Sequence, residues 1–249
     1  MARTVAPRPV RRGGAEPGGA RLGVSRVAAG LAAARSWWKA ARVSSTRLVL
    51  IRHAQTAMNG GSPDPVMCGW LDLPLTPFGE QQAAALERRV AADVVYASPL
   101  RRARDTARHC ADGADLCLEP GLREIGCGRL EGMPLREVRR AYPQAWARNA
   151  AETDDDFRWP GGESYAELRR RVLAAIAAIA AGHPAARVAV VTHTGAITQL
   201  LGHLTGERPA RWSAYRVGNA SITEIDWAHG RGTVRAFDVR DHLPPRLRT

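Results

Sequence analysis

The chain of 249 residues is poor in cysteine: its four, Cys68, Cys110, Cys117 and Cys127, form no C-x-x-C pair and have no histidine at metal-ligand spacing. They are expected to be reduced and mostly structural, as in a cytosolic protein, so a cytoplasmic location is expected. No apolar run approaches the ~18 residues a membrane span needs. The longest, VLAAIAAIAA at 172–181, reads as a buried helix, and no stable membrane association is expected. No internal repeat is visible. Lysine is almost missing: Lys39 is alone among 36 basic residues. With abundant alanine, that skew is what a GC-rich coding sequence produces, and it says little about function.

What is abundant is positive charge, a net +12. Residues 1–46 hold nine basic residues against Glu16 alone, so +8 of the +12 sits there and only +4 is left for the rest. The excess is a property of a tail, and no nucleic-acid partner is expected. Residues 1 to about 21, rich in Pro, Gly, Ala and Arg, cannot bury enough apolar surface to offset chain entropy and are expected to be disordered. In LGVSRVAAGLAAARSWWKAARV, Val24, Val27, Leu31, Ala34 and Trp38 share one side of a helical wheel, which predicts a short amphipathic helix. Residues 1–45 are read as a solvated, largely disordered extension, or a start codon placed too early, in preference to a presequence or an anionic-surface contact.

From Thr46 the punctuation is that of one α/β domain, 46–249. RLVLI (47–51), VVYAS (94–98), DLCL (115–118) and RVAVVTH (187–193) are short apolar runs with polar or glycine boundaries, the pattern of buried strands. Thr76-Pro77 begins a helix predicted to reach about Val90, Pro99 opens another, and Ser164 with Glu167 forms a capping box ahead of a helix ending near Gly182. SITEIDW and TVRAFDV read as a hairpin. The alternation predicts an α/β fold with a mostly parallel central sheet and helices on both faces.

In such sheets reactive groups collect at the carboxyl ends of the strands. Arg52 and His53 follow the first run; Arg101, Arg102 and Arg104 follow the second; Thr192, His193 and Thr194 follow RVAVV; Glu124 lies in the loop after DLCL. Singly, each has an ordinary reading: a satisfied histidine, a solvated helix face, a carboxylate paired with Arg123 or Arg129, a turn residue at Asn59. Jointly, two imidazoles, guanidinium groups and one carboxylate suit phosphoryl transfer through a phosphohistidine. A neutral imidazole attacks phosphorus, arginine forks bind the equatorial oxygens, and one carboxyl of raised pKa protonates the leaving oxygen and then activates water.

At these residues the chain resembles the histidine phosphatase superfamily, in its phosphoglycerate-mutase-like branch, over roughly 46–227. LVLIRHAQTAMN is similar to the signature R-H-G-(E/Q)-T-x-x-N, which implies His53 as nucleophile with Arg52 and Asn59 as phosphate ligands. DLPLTPFGEQQA, YASPLRRARDTA, LREIGCGRLEG, PGGES and VTHTGAI resemble further segments in the same order. They imply Arg102 as a phosphate ligand, Glu124 as acid/base, and His193 and Thr194 in the phosphate pocket, with Arg101 and Arg104 given no role. Two departures are Ala54, where glycine is usual, and Thr194, where a smaller residue is common.

The resemblance implies a metal-independent phosphomonoesterase with no cofactor, acting on a small phosphorylated metabolite, α-ribazole 5'-phosphate being the candidate that PGGESYAEL and LREIGCGRLEG suggest. An oligomer is compatible with the sequence. Rival readings are a phosphoglycerate mutase, a non-catalytic phospholigand-binding or scaffolding protein, and, a poor third, a metal hydrolase. Residues 133–163, mixing Arg, aromatic and acidic side chains, are read as a cap-like insertion that sets specificity, with an amphipathic surface helix and acidic loop as the equal alternative.

Overall fold

The structure, a computed structural model, describes residues 45–248 apart from residues 61 and 88. The expectations for the tail and its amphipathic helix lie outside the described residues.

Among the described residues six strands form one sheet: β1 (Thr46–Arg52), β2 (Val94–Ala97), β3 (Leu116–Leu118), β4 (Arg187–Thr192), β5 (Ile222–Ala228) and β6 (Arg231–Val239). Their order is β3-β2-β4-β1-β5-β6. The first four are mutually parallel, while β5 pairs antiparallel with β1 and carries β6 as a hairpin. The predicted α/β sheet with a terminal hairpin is therefore what forms. The hairpin closes through His229 and Gly230, both at positive φ (51° and 72°), as a tight two-residue turn needs.

The uninterrupted apolar runs are explained by burial on both faces. Leu48 and Leu50 of β1, with Val188 and Val190 of β4, pack with Leu168, Val172, Ile176, Ile197 and Leu200 from α5 (Tyr165–Gly182) and α6 (Thr194–Thr205). The alternate residues Val49, Ile51, Ala189 and Val191 meet Ala83, Ala103, Ala107 and Cys110 from α1 (Pro77–Ala84) and α2 (Arg101–Ala111). Each strand thus feeds two cores, and neither face tolerates a polar alternation.

Local chemistry sets the helix ends. Thr76 caps α1, accepting from Gly79 N–H at 2.9 Å. This helix stops at Ala84, not near Val90: its hydrogen bonds tighten there to i→i−3, with Leu86 N–H donating to Ala83 O and Glu87 N–H to Ala84 O. Leu86 and Val90 are nonetheless buried, so the periodicity reported burial correctly and helix length wrongly. The capping box of α5 is complete: Ser164 accepts from Glu167 N–H, and the Glu167 carboxylate accepts from Ser164 N–H. Segment 133–163 contains two short helices, α3 (Leu135–Ala141) and α4 (Pro143–Ala151), broken at Tyr142-Pro143. Val138, Phe157 and Trp159 join Cys127, Leu130 and Tyr165 in a small satellite core. Among the described residues no helix is long and apolar enough to cross a membrane.

Candidate active site

Parallel pairing of β1 and β4, with Arg52 opposite Thr192, brings the two histidines that follow these strands side by side. His53 N–H donates to Thr192 O at 2.9 Å, and the two ring centroids lie 5.1 Å apart. Both side chains are buried. Burial, followed by the charges of Arg102 and Arg52, holds the His53 pKa well below the ordinary imidazole value. Burial and Arg102 do the same for His193. Both rings are therefore neutral at pH 7.

On His53 a hydrogen bond fixes which nitrogen carries the proton. His53 Nδ1 lies 2.8 Å from Ala54 O, which can only accept, so Nδ1 bears hydrogen and Nε2 keeps its lone pair. His193 Nε2 lies 2.8 Å from Ser98 Oγ, whose oxygen also accepts from Leu100 N–H. A hydroxyl oxygen can accept twice, so either partner can donate here; where the serine donates to Nε2, His193 Nδ1 is an N–H donor, and that nitrogen is buried and without a partner. Ala54 is fully buried and does not lie among the residues with positive φ, so alanine is accommodated where the signature has glycine. Its N–H donates to Thr106 Oγ1, and Asn219 Nδ2 donates to His53 O, tying the loop to α2 and to the segment before β5.

Two arginines converge here. Arg52 donates from Nη1 to Val217 O at 2.5 Å, and its buried Nε has no partner. Burial lowers its pKa to about 10, which leaves it charged at neutral pH. Arg102, only 3% exposed, grips Leu71 O and Gly69 O at 2.8 and 2.9 Å. Unsatisfied donors on buried, charged or neutral nitrogens are what an oxyanion with several acceptor lone pairs would satisfy. Asn59 stands beside Arg52 in a groove of about 260 Å³, its Oδ1 accepting from Thr56 N–H. Arg101 and Arg104 stay on the surface of α2, near Asp105.

Glu124 follows a 3-10 turn, Pro120–Leu122, and its field reaches both Arg52 and Arg102. One carboxylate oxygen accepts from its neighbour Ile125 N–H at 2.9 Å, the other from Gly195 N–H at 3.1 Å in the first turn of α6. Gly195 is obligatory for that approach, because a Cβ there would lie 2.0 Å from Glu124 Oε1. Thr194 begins α6 and is half-buried. Among the described residues no three of His, Cys, Asp or Glu cluster as metal ligands would.

Sequence reasoning missed Ser98 and Asn219, which hydrogen-bond the groups above, and Trp70 and Arg171, which both donate to Glu124 O. Ser98 had a signal, the serine that ends VVYAS. The others bond through or to backbone carbonyls, which no motif records.

The chain belongs to the histidine phosphatase superfamily (branch 1), whose model matches residues 48–240. A protein named "probable phosphoglycerate mutase GpmB" from Enterobacter is 34% identical over 186 residues, covering 73% of this chain and 85% of its own. A metal-independent phosphoserine phosphatase of Arabidopsis thaliana is 30% identical over 217 residues, covering 83% and 88%. Among solved structures, phosphoserine phosphatase from Entamoeba histolytica in complex with 3-phosphoglyceric acid superposes with a TM-score of 0.70 at 28% identity, over 80% of this chain and all of that one.

Proposed function

We propose that this protein is a phosphoric monoester hydrolase that acts on a small phosphorylated metabolite through a phosphohistidine on His53. The observation that carries the reading is the pair of neutral, buried histidines flanked by Arg52 and Arg102, with the His53 tautomer fixed by Ala54 O. His53 Nε2 attacks phosphorus, and as the N–P bond forms the P–O bond to the alcohol breaks. Glu124 gives its proton to the departing oxygen. Water then attacks the phosphohistidine and loses a proton to Glu124; the N–P bond breaks and phosphate leaves. Arg52, Arg102, Asn59, His193 Nδ1 and the start of α6 at Thr194 hold the non-bridging oxygens through both steps.

Substrate choice falls to the walls around this centre, with 133–163 as a cap and residues 1–45 as an extension outside the domain. A relative named for phosphoserine, and a solved phosphoserine phosphatase in complex with 3-phosphoglyceric acid, support a small, acidic alkyl phosphate. α-Ribazole 5'-phosphate remains a specific candidate, and a cytoplasmic location suits such metabolites. The 34% identity to a protein named as a mutase supports a second reading, return of the phosphoryl group to the substrate. One assay separates them. Wild-type protein given 3-phosphoglycerate or a panel of metabolite phosphomonoesters, with and without chelator, is expected to release inorganic phosphate in both conditions. His53→Ala is expected to abolish it. Formation of 2-phosphoglycerate in place of phosphate would favour the mutase, and near-wild-type turnover by His53→Ala would sink both readings.

A further inference from the structure

Glu124 is held less by its carboxylate than by its backbone, and one side chain outside the pocket does most of the holding. Arg171, on the second turn of α5, donates from Nη1 to Gly121 O and Arg123 O, both at 2.9 Å, and from Nη2 to Glu124 O at 3.2 Å. Its other edge meets Glu163 bidentately, Nε to Oε1 at 2.8 Å and Nη2 to Oε2 at 2.6 Å. The pair is largely buried, with side-chain exposures of 22% and 14%. Glu163 continues the clamp: its backbone N–H donates to Gly126 O at 2.9 Å, and its Oε2 receives Gly126 N–H. Segment 121–126 is thus gripped at four successive places by one ion pair. Trp70 Nε1 donates to the same Glu124 O at 2.7 Å. Trp70 itself rides on the 69–71 loop, whose carbonyls Arg102 holds.

Resting on the reading of Glu124 as acid/base, we propose that Arg171, locked by Glu163, is a positioning residue that sets the reach of Glu124 to the leaving-group oxygen, with Trp70 as its counterpart. A guanidinium is needed because three carbonyls and a carboxylate must be met at once by one rigid fork; an ammonium cannot span them. Arg171 touches no Glu124 carboxylate oxygen, so it acts through geometry. A small displacement of a general acid costs rate steeply, because proton transfer requires hydrogen-bond distance to the departing atom.

The test exploits the leaving group. An alkoxide must be protonated as it departs, whereas p-nitrophenolate leaves without help. The rate of the first turnover, which phosphorylates His53, is measured by rapid quench with glycerol 2-phosphate and with p-nitrophenyl phosphate for wild type, Arg171→Gln and Arg171→Lys. Both variants are expected to lose on the order of 10²-fold with the alkyl ester and only a few-fold with the aryl ester. Equal losses on the two substrates, tracking a loss of thermal stability, would overturn the proposal. If Arg171→Gln does not fold, Trp70→Phe decides: an exposed side chain loses one hydrogen bond, and a selective loss on the alkyl ester is expected, where a parallel loss or none contradicts. Wild type that forms no phosphohistidine with either substrate would instead refute the underlying reading of the site.

Discussion

A carbonyl oxygen 2.8 Å from His53 Nδ1 decides which nitrogen of that ring keeps its lone pair, and burial, reinforced by the charges of Arg102 and Arg52, keeps the ring neutral. In the proposed reaction the nucleophilicity of His53 at neutral pH would come from these surroundings, which include the arginines that neutralise the phosphoryl oxygens. The carboxylate side of the site is equally dependent on its frame. Replacing Gly195 by alanine puts a Cβ 2.0 Å from Glu124 Oε1, although the backbone there is of ordinary handedness. Glu124 must swing away. Gly195→Ala is expected to lower kcat for alkyl phosphates by about 10²-fold or more, the range a general acid contributes. Steady-state kinetics with an alkyl ester check this; an unchanged kcat would mean that Glu124 is not the proton donor.

At the scale of elements, the capping box of α5 matters beyond the helix it starts, because the same segment carries Glu163 and the same helix carries Arg171. Ser164→Ala removes the side-chain acceptor for Glu167 N–H and is expected to cost about 1 kcal/mol of stability, read as a lower denaturation midpoint. The box was legible in the sequence because cap chemistry is local. So were the strands, since Leu48 to Ile51 and Val188 to Val191 are buried on both faces and show no polar alternation. The end of α1 was not legible: Ala85 to Glu87 keep an apolar period while the hydrogen bonds tighten, and nothing in EQQAAALERRV distinguishes the two. The break at Tyr142-Pro143 belongs to a segment for which a cap-like insertion and an amphipathic surface helix with an acidic loop were equal readings, and it falls at the proline that opens α4. His53, Arg52, Glu124 and His193 stood out because they end strands or follow them; Arg102 was set apart from Arg101 and Arg104 only by the family resemblance. Trp70 and Arg171 did not stand out, because their partners are main-chain atoms made neighbours only by folding.

For the whole molecule, keeping both histidines neutral has a thermodynamic consequence. Their folded pKa values lie below the unfolded value near ~6.5, so as pH falls through that value the unfolded chain takes up protons that the folded protein refuses. Stability is fully present above pH ~6.5 and falls below it, by up to about 1.4 kcal/mol per pH unit for each such histidine. Asp155, Glu167 and Asp226, whose pKa values are lowered, add their own loss only at more acid pH, below about 4.5. Thermal midpoints between pH 7.5 and 5.5 are expected to drop, and to drop less steeply in His53→Ala; a flat profile would mean that the rings protonate freely in the folded state.

The covalent intermediate is the most direct test of the account. Wild-type protein mixed with a phosphomonoester and quenched in alkali within the first turnover is expected to carry one phosphoryl group on the peptide containing His53, lost on brief acid treatment and absent from His53→Ala. A phosphoryl group on any other residue, or hydrolysis at the wild-type rate with His53 never modified, would contradict it.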